Sequence, residues 1–254
     1  MDTVEKIRFI EELAMNAWPA ETIQIVDGWR LRYNQGVSRR TNSVWPNAWG
    51  GAMPLALKMG LVDDFYQRRS LPSRYQICPA ARPEGLDDVL EAASYSLDAP
   101  TRVQMAELAD TLAKSESRHQ VQLEEQLTDE WFQAYTSYGT YSAMKASVVR
   151  GSLERTGPLP GYALIRSGGD VVAVGRAAYE RGWMGIFSMA TEPTFRRQGM
   201  ASSILYTLVA WGQRQGARKL YLQVEEENTV AQAVYARFGF EDLYGYHYRE
   251  APAR

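Results

Sequence analysis

Residues 185–211 read GIFSMATEPTFRRQGMASSILYTLVAW. Alternation over 182–191 predicts a strand, and the apolar spacing over 201–215 predicts a helix, with Gly216 placed to end it. Between them stand Arg196, Arg197, Gln198 and Gly199, followed by Met200, Ala201 and Ser202. In a strand–loop–helix unit the helix's first N–H groups have no partner of their own and face the loop. With the helix dipole they form a seat for an anion. Gly199 lets an anion approach the backbone without a Cβ in the way. The two arginines add charge and forked donors suited to phosphate. Ala201 is small enough to let the helix sit close on a sheet. The loop is neither a P-loop, which needs Gly-Lys-Ser/Thr, nor the dinucleotide fingerprint, which needs two more glycines. Taken alone, it could also be a solvated basic loop with a convenient glycine.

The rest of the chain narrows the setting. Its 254 residues suit one large domain or two small ones, and 45% apolar with 23% charged residues is ordinary for a globular protein. A net charge of -2 gives no general attraction to nucleic acid or anionic membrane, and no basic-aromatic tract suggests nucleic-acid binding. Cys78 is the single cysteine, and His119 and His247 lie far apart, so neither a disulfide nor a metal site is expected. Cys78 reads as a packed thiol. No stretch approaches the roughly 20 apolar residues of a membrane span, and the charged N-terminal segment is no signal peptide. A cytoplasmic protein is expected.

Period-three spacing of Val4, Ile7, Ile10 and Leu13 predicts an N-terminal helix that Pro19 ends. Ile23, Ile25, Trp29, Leu31 and Tyr33 alternate about Asp27-Gly28, a hairpin signal. Further helices are expected at PLALKMGLVDDFYQRR, PEGLDDVLEAASY and LTDEWFQAYTSY, the last capped by Thr128 or Asp129. Strands are expected at SRYQIC, TRVQMAEL, 162–166, 171–179 and 219–225, with two more near Glu241 and at 246–249. The polar run 114–129 reads as a linker. Thr229 to Phe238 should form a helix capped by Asn228, with Val230, Val234 and Phe238 as its apolar stripe. FYQRRSLPSRYQI (65–77) repeats the layout of WGQRQGARKLYL (211–222): an aromatic helix end, a basic turn, a strand. That suggests two lobes of related design.

The strand ending MATEP, the RRQGMA loop and its helix, the strand LYLQVEEEN and the helix AQAVYARFGF together resemble the core of the GNAT superfamily of acyl-CoA-dependent N-acyltransferases. The likeness is good over 182–249 and weaker over 128–181. Its most specific features are Arg-x-x-Gly-x-Ala and the spacing Asn228…Ala231…Tyr235…Gly239-Phe240. GWRLRYNQGVSRRTNSVWP looks similar to the degenerate first lobe of tandem members. The resemblance implies an α/β chain with an α+β mixed sheet. It implies two GNAT-like lobes, each a mostly antiparallel twisted sheet flanked by helices. The expected division is a degenerate lobe over 1–118, a linker over 119–127 and an acetyltransferase domain over 128–254.

By the same resemblance the co-substrate is acetyl-CoA. Arg196, Arg197, Gln198, Gly199, Met200, Ala201 and Ser202 would hold its pyrophosphate. Met189, Ala190 and Thr191 would pair with the pantetheine arm where the strand splays, and Asn228 would contact that arm. Tyr235 would sit near the thioester sulfur. A backbone N–H near Ala190 could serve the oxyanion. Tyr235 could protonate the leaving thiolate, although an edge tyrosine of a helix is also an ordinary core residue. The strand before the splay carries no acid, so Glu180, Glu192, Glu225, Glu226 and Glu227 all remain open as the base. The first lobe offers only the uncharged NAWGGAM where a phosphate loop would stand. Arg39, Arg40 and Asn42 there could face an acidic substrate group or form a polar surface. The expected activity is acetyl transfer to a primary amine of a small molecule, peptide or protein. A regulatory module that binds acyl-CoA without catalysis is the alternative. An apolar-rich first lobe could pair two copies into a homodimer.

Overall fold

The structure is a computed structural model, and residues 2–252 of it are described. Helix α1 (Thr3–Ala17) forms where the period-three pattern runs, and it buries Ile7, Ile10 and Leu13. Its start is fixed by a reciprocal cap: the Asp2 carboxylate accepts from the Glu5 backbone N–H, and the Glu5 carboxylate accepts from that of Asp2.

The chain divides into two compact units, residues 1–102 with 244–254, and residues 103–243. This differs from the expected division at 118–128. Two strands, β5 (Ser96–Glu107) and β11 (Glu241–Glu250), have residues in both units.

In the first unit, β1 (Thr22–Val26), β2 (Trp29–Tyr33), β3 (Val44–Trp45), β4 (Arg74–Ile77) and the end of β11 lie in that order. Pairing is antiparallel except between β3 and β4. Asp27 (φ 44°) and Gly28 (φ 90°) make the β1–β2 turn. Ile23 and Ile25 do not enter the core as their alternation suggests. They stand 47% and 68% exposed on the outermost strand. Helices α2 (Leu55–Gln67) and α3 (Leu86–Ala92) complete the unit around Trp29, Phe65, Tyr66 and Tyr75. The buried Glu11 carboxylate accepts from Tyr244 Oη and Gln76 Nε2, each at 2.7 Å. Burial pushes its acid strength down, raising the pKa against the pull of Tyr244 and Arg32.

In the second unit the order is β10 (Lys219–Glu225), β9 (Trp183–Thr191), β8 (Asp170–Glu180), β7 (Leu159–Ser167) and β6 (Gln122–Glu124). All neighbours are antiparallel except β9 and β10. The run expected to be a linker instead supplies β6, whose Leu123 pairs with Ala163, and the end of helix α4 (Leu108–Lys114). β6 is a short edge strand, so its sequence is polar and hides its pairing. Helix α5 (Asp129–Tyr138) is capped by Thr128 Oγ1, as expected. Helix α6 (Ala143–Glu154) had no sequence signal, since Gly151 and scattered charges blur its apolar face. Helix α7 (Met200–Arg214) packs on β7, β8 and β9. A Cβ at Gly175 of β8 would stand 2.4 Å from Ile204 and 2.5 Å from Met189, so only glycine admits this approach. The next residue, Arg176, turns to the other face, where Nη2 donates to Thr156 Oγ1.

Trp131 of α5 is fully buried, and its indole N–H is shared between the carbonyls of Ala163 and Gly175. Trp131→Ala should cost about 3–5 kcal/mol of stability, measured by urea unfolding.

Each unit contains a parallel strand pair joined across a helix: β3–α2–β4, then α3, in the first; β9–α7–β10, then α8 (Thr229–Arg237), in the second. The repeated sequences 65–77 and 211–222 fall at the same place in each, the end of the crossover helix and the strand after it. No helix among the described residues is long and apolar enough to cross a membrane.

Candidate active site

The site is made by two strands that stop pairing. β9 and β10 pair from Trp183–Lys219 to Ile186–Leu222, and no pair is formed beyond. On its other side β9 carries an extra residue. Arg176 pairs with Phe187 and Val174 with Ala190, so Ser188 and Met189 together face Gly175. Ser188 takes φ 52° to make this bulge. Below the bulge opens a cavity of about 1130 Å³.

Met189, Ala190 and Thr191 line this cavity. After them the Glu192 carboxylate accepts from the Thr194 N–H and turns the chain. Arg197 (φ 61°) and Gly199 (φ 85°) are both left-handed, and α7 starts at once. Met200, Ala201 and Ser202 are its first residues, so their N–H groups have no partner within the helix. All three line the cavity, together with Arg196, Arg197 and Gly199. Gln198 does not. Its side chain turns back to donate to the Thr194 carbonyl at 3.0 Å.

The loop is held by residues that the sequence placed in a linker. His119 Nε2 donates to the Gln198 carbonyl at 2.8 Å. The Arg118 N–H donates to Ser203 Oγ at 3.0 Å, and Ser202 Oγ donates to the Glu116 carbonyl at 3.3 Å. Residues 116–119 thus form a strap across the first turn of α7. No periodicity announces a strap, and only the geometry finds it.

Across the cavity lies α8. Asn228 caps it, its Oδ1 accepting from the Ala231 N–H at 3.1 Å, and also lines the cavity. The expected stripe of Val230, Val234 and Phe238 is shifted. Val230 is 76% exposed beside the cavity, while Ala231, Val234 and Tyr235 pack on the core with Phe238. Tyr235 stands behind the wall rather than on it, its ring 5.7 Å from that of Phe240. Burial raises its phenol pKa to about 12.

Tyr135, Tyr138 and Gly139, at the end of α5, line the far side. None of the carboxylates considered from sequence as a base is on the wall. Glu116 is the acid there, and it pairs with Arg118. The sequence did not single out Ser188 or Gln223. Ser188 Oγ is buried without a hydrogen-bond partner among the described residues, and so is Gln223 Oε1. Gln223 lies on the face of β10 that carries Tyr221, one residue past the last pair with β9.

In the first unit the corresponding place is filled. Ahead of α2 the Asp27 carboxylate takes the place an anion would occupy, accepting from the N–H groups of Ala52 (3.2 Å) and Met53 (3.4 Å). The fully buried Lys58 ammonium donates to the Asp27 carbonyl and lies over the rings of Trp49 and Trp29. Burial opposes the ionised carboxylate, but Ala52 and Lys58 outweigh it and hold its pKa low. Asp27→Ala should lower the melting temperature by leaving Lys58 buried without its counter-charge, read by calorimetry. Arg39 and Asn42, considered for a substrate, are used structurally. Arg39 pairs with Asp98, and Asn42 Oδ1 accepts from the N–H groups of Asn34 and Gly36. Arg40 lies among Tyr246 and Tyr248.

Residues 4–249 match the model of a family described as probable histone acetyltransferase Rv0428c, C-terminal. The chain is similar to the uncharacterized N-acetyltransferase YobR of Bacillus subtilis, with 28% identity over 97% of this chain and 99% of that one. It is 36% identical to a ribosomal protein bS18-alanine N-acetyltransferase of Haemophilus ducreyi over 58 residues, 23% of this chain and 40% of the other. A GCN5-related N-acetyltransferase from Kribbella flavida has the same fold, with a TM-score of 0.71 and 17% identity over 97% and 95% of the two chains. So does a tandem GNAT protein from the clavulanic acid biosynthesis pathway, with a TM-score of 0.63 and 14% identity over 80% and 73%.

Proposed function

Since this chain belongs to the Rv0428c-type acetyltransferase family and has the fold of a tandem GNAT protein, we propose that its second unit transfers an acetyl group from acetyl-CoA to a primary amine. The amine belongs to a small molecule, a peptide or a protein, and it attacks directly while both substrates are bound. One observation carries this reading. The open start of α7, with Arg196 and Arg197, and the parted strands β9 and β10 share a single cavity.

The coenzyme pyrophosphate takes the N–H groups of Met200, Ala201 and Ser202 and the charge of the two arginines. The pantetheine arm lies along Met189, Ala190 and Thr191, with Asn228 opposite. The backbone N–H near Ala190 receives the developing oxyanion. A neutral amine attacks the carbonyl carbon and the C–S bond breaks; the nitrogen gives up one proton to solvent as the amide forms, and the departing thiolate takes one from solvent. Tyr235 stands just behind the wall in the free chain, and its hydrogen bond to that sulfur requires the bound arm to reach past Ala231 and Val234. With no free carboxylate on the wall, the ammonium loses its proton to solvent before attack. The first unit binds no second coenzyme, because Asp27 already fills its seat.

Calorimetric titration of acetyl-CoA, with adenosine diphosphate as comparison, tests the reading. Micromolar binding that is tighter for the whole coenzyme is expected. Absence of binding overturns it. The acid-poor wall favours one competing reading, a sensor that binds acyl-CoA without turnover. Release of free thiol with any amine in a panel of peptides and small amines would dispose of that alternative.

A further inference from the structure

Five basic side chains line the cavity: Lys114, Arg118, Arg196, Arg197 and Arg237. Glu116 is the one acid there, and it is already paired with Arg118. Among the described residues, none of the other four has a carboxylate within salt-bridge distance. Four uncompensated cations around one opening are unexpected in a chain whose net charge is -2. All four are exposed to solvent in the free chain, and together they favour an anion with several charges at this opening.

The four fall into two groups. Arg196 and Arg197 belong to the loop before α7. Lys114 ends α4, and Arg237 ends α8. A Cβ on Gly239 would stand only 2.9 Å from Lys114 Nζ, so the ammonium lies against the turn that closes α8, two residues past Arg237. A pyrophosphate brings about two negative charges, which Arg196 and Arg197 match. A phosphomonoester carries about 1.5–2 more at neutral pH, and Lys114 with Arg237 match that.

We propose that Lys114 and Arg237 form a separate seat for a phosphomonoester, the 3′-phosphate on the coenzyme's ribose, and so make the enzyme select coenzyme A over its dephosphorylated form. This rests on the coenzyme reading above. The competing role for both residues is to complement the C-terminal dipole of α8, and the test separates the two.

Calorimetry would compare coenzyme A with 3′-dephospho-coenzyme A on the wild type, Lys114→Ala, Arg237→Ala and Lys114→Arg. The wild type should bind coenzyme A at least about tenfold more tightly, the scale of one lost charge-assisted contact. Each alanine variant should lose most of that preference, bind the dephosphorylated form as before and keep its melting temperature. Lys114→Arg should keep the preference. Equal binding of both forms by the wild type overturns the proposal and leaves the coenzyme reading intact. An equal loss for both forms in the variants, or a lower melting temperature with the preference retained, also overturns it. If the wild type binds neither form, both readings fall.

Discussion

Arg197→Glu should weaken acetyl-CoA binding by roughly 100-fold or more, with little change in the melting temperature. A charge-assisted hydrogen bond to phosphate contributes about 1.5–3 kcal/mol, and reversal adds repulsion to that loss. Each 1.4 kcal/mol or so is a factor of ten. The fold should survive, because Arg197 lies in an exposed loop and supports no core contact. Gly199→Val reaches a similar loss by a different route. Space is not the obstacle, since a Cβ there would meet only His119 Nε2, at 3.8 Å. Its φ of 85° is the obstacle, because a β-branched residue avoids the left-handed region and would pull the loop away from the start of α7. Calorimetric affinities for both variants, beside their thermal unfolding curves, check the pair. Normal acetyl-CoA binding by either variant would mean that the loop is no phosphate seat.

Arg197 also shows where sequence reading stops. Its charge and its place before a helix are plain in RRQGMA, yet nothing there signals that it shares the left-handed geometry of Gly199. The elements themselves were largely legible. Alternation marked the strands, spacing marked α1, α5, α7 and α8, and Thr128 and Asn228 marked their caps. What escaped depends on partners distant in sequence. β6 is a strand only because β7 lies beside it, and the strap at 116–119 has meaning only against the first turn of α7. Val230 failed for a related reason. A helix beside an open cavity need not bury its whole apolar stripe, and periodicity cannot say which edge is left open. Asp27 is the reverse case. Asp-Gly announced its turn, but the turn's second use, delivering a carboxylate to the start of the first unit's loop before α2, became visible only once Ala52 and Met53 were seen to donate to it.

Tyr235→Phe should lower kcat by about 10- to 100-fold, the lower part of the range for a positioned proton donor, and leave the affinity for acetyl-CoA unchanged. The reason lies in the relation between two pKa values. Burial holds the phenol near 12, so it stays protonated throughout any practical assay. A free thiol titrates near 8.5. Full transfer of the tyrosine proton to the departing thiolate is therefore uphill, and the phenol does most of its work as a hydrogen-bond donor while negative charge grows on sulfur. A thiolate also leaves tolerably well unaided, which is why the loss is partial. Two consequences distinguish this from a packing role. The alkaline limb of the pH–rate profile should be unchanged in the variant, because Tyr235 does not titrate there in the wild type. Phenylalanine keeps the ring against Phe240, so unfolding should be unaltered. An unchanged kcat would place Tyr235 among the core residues of α8, and a shifted alkaline limb would mean that the phenol ionises in the working enzyme.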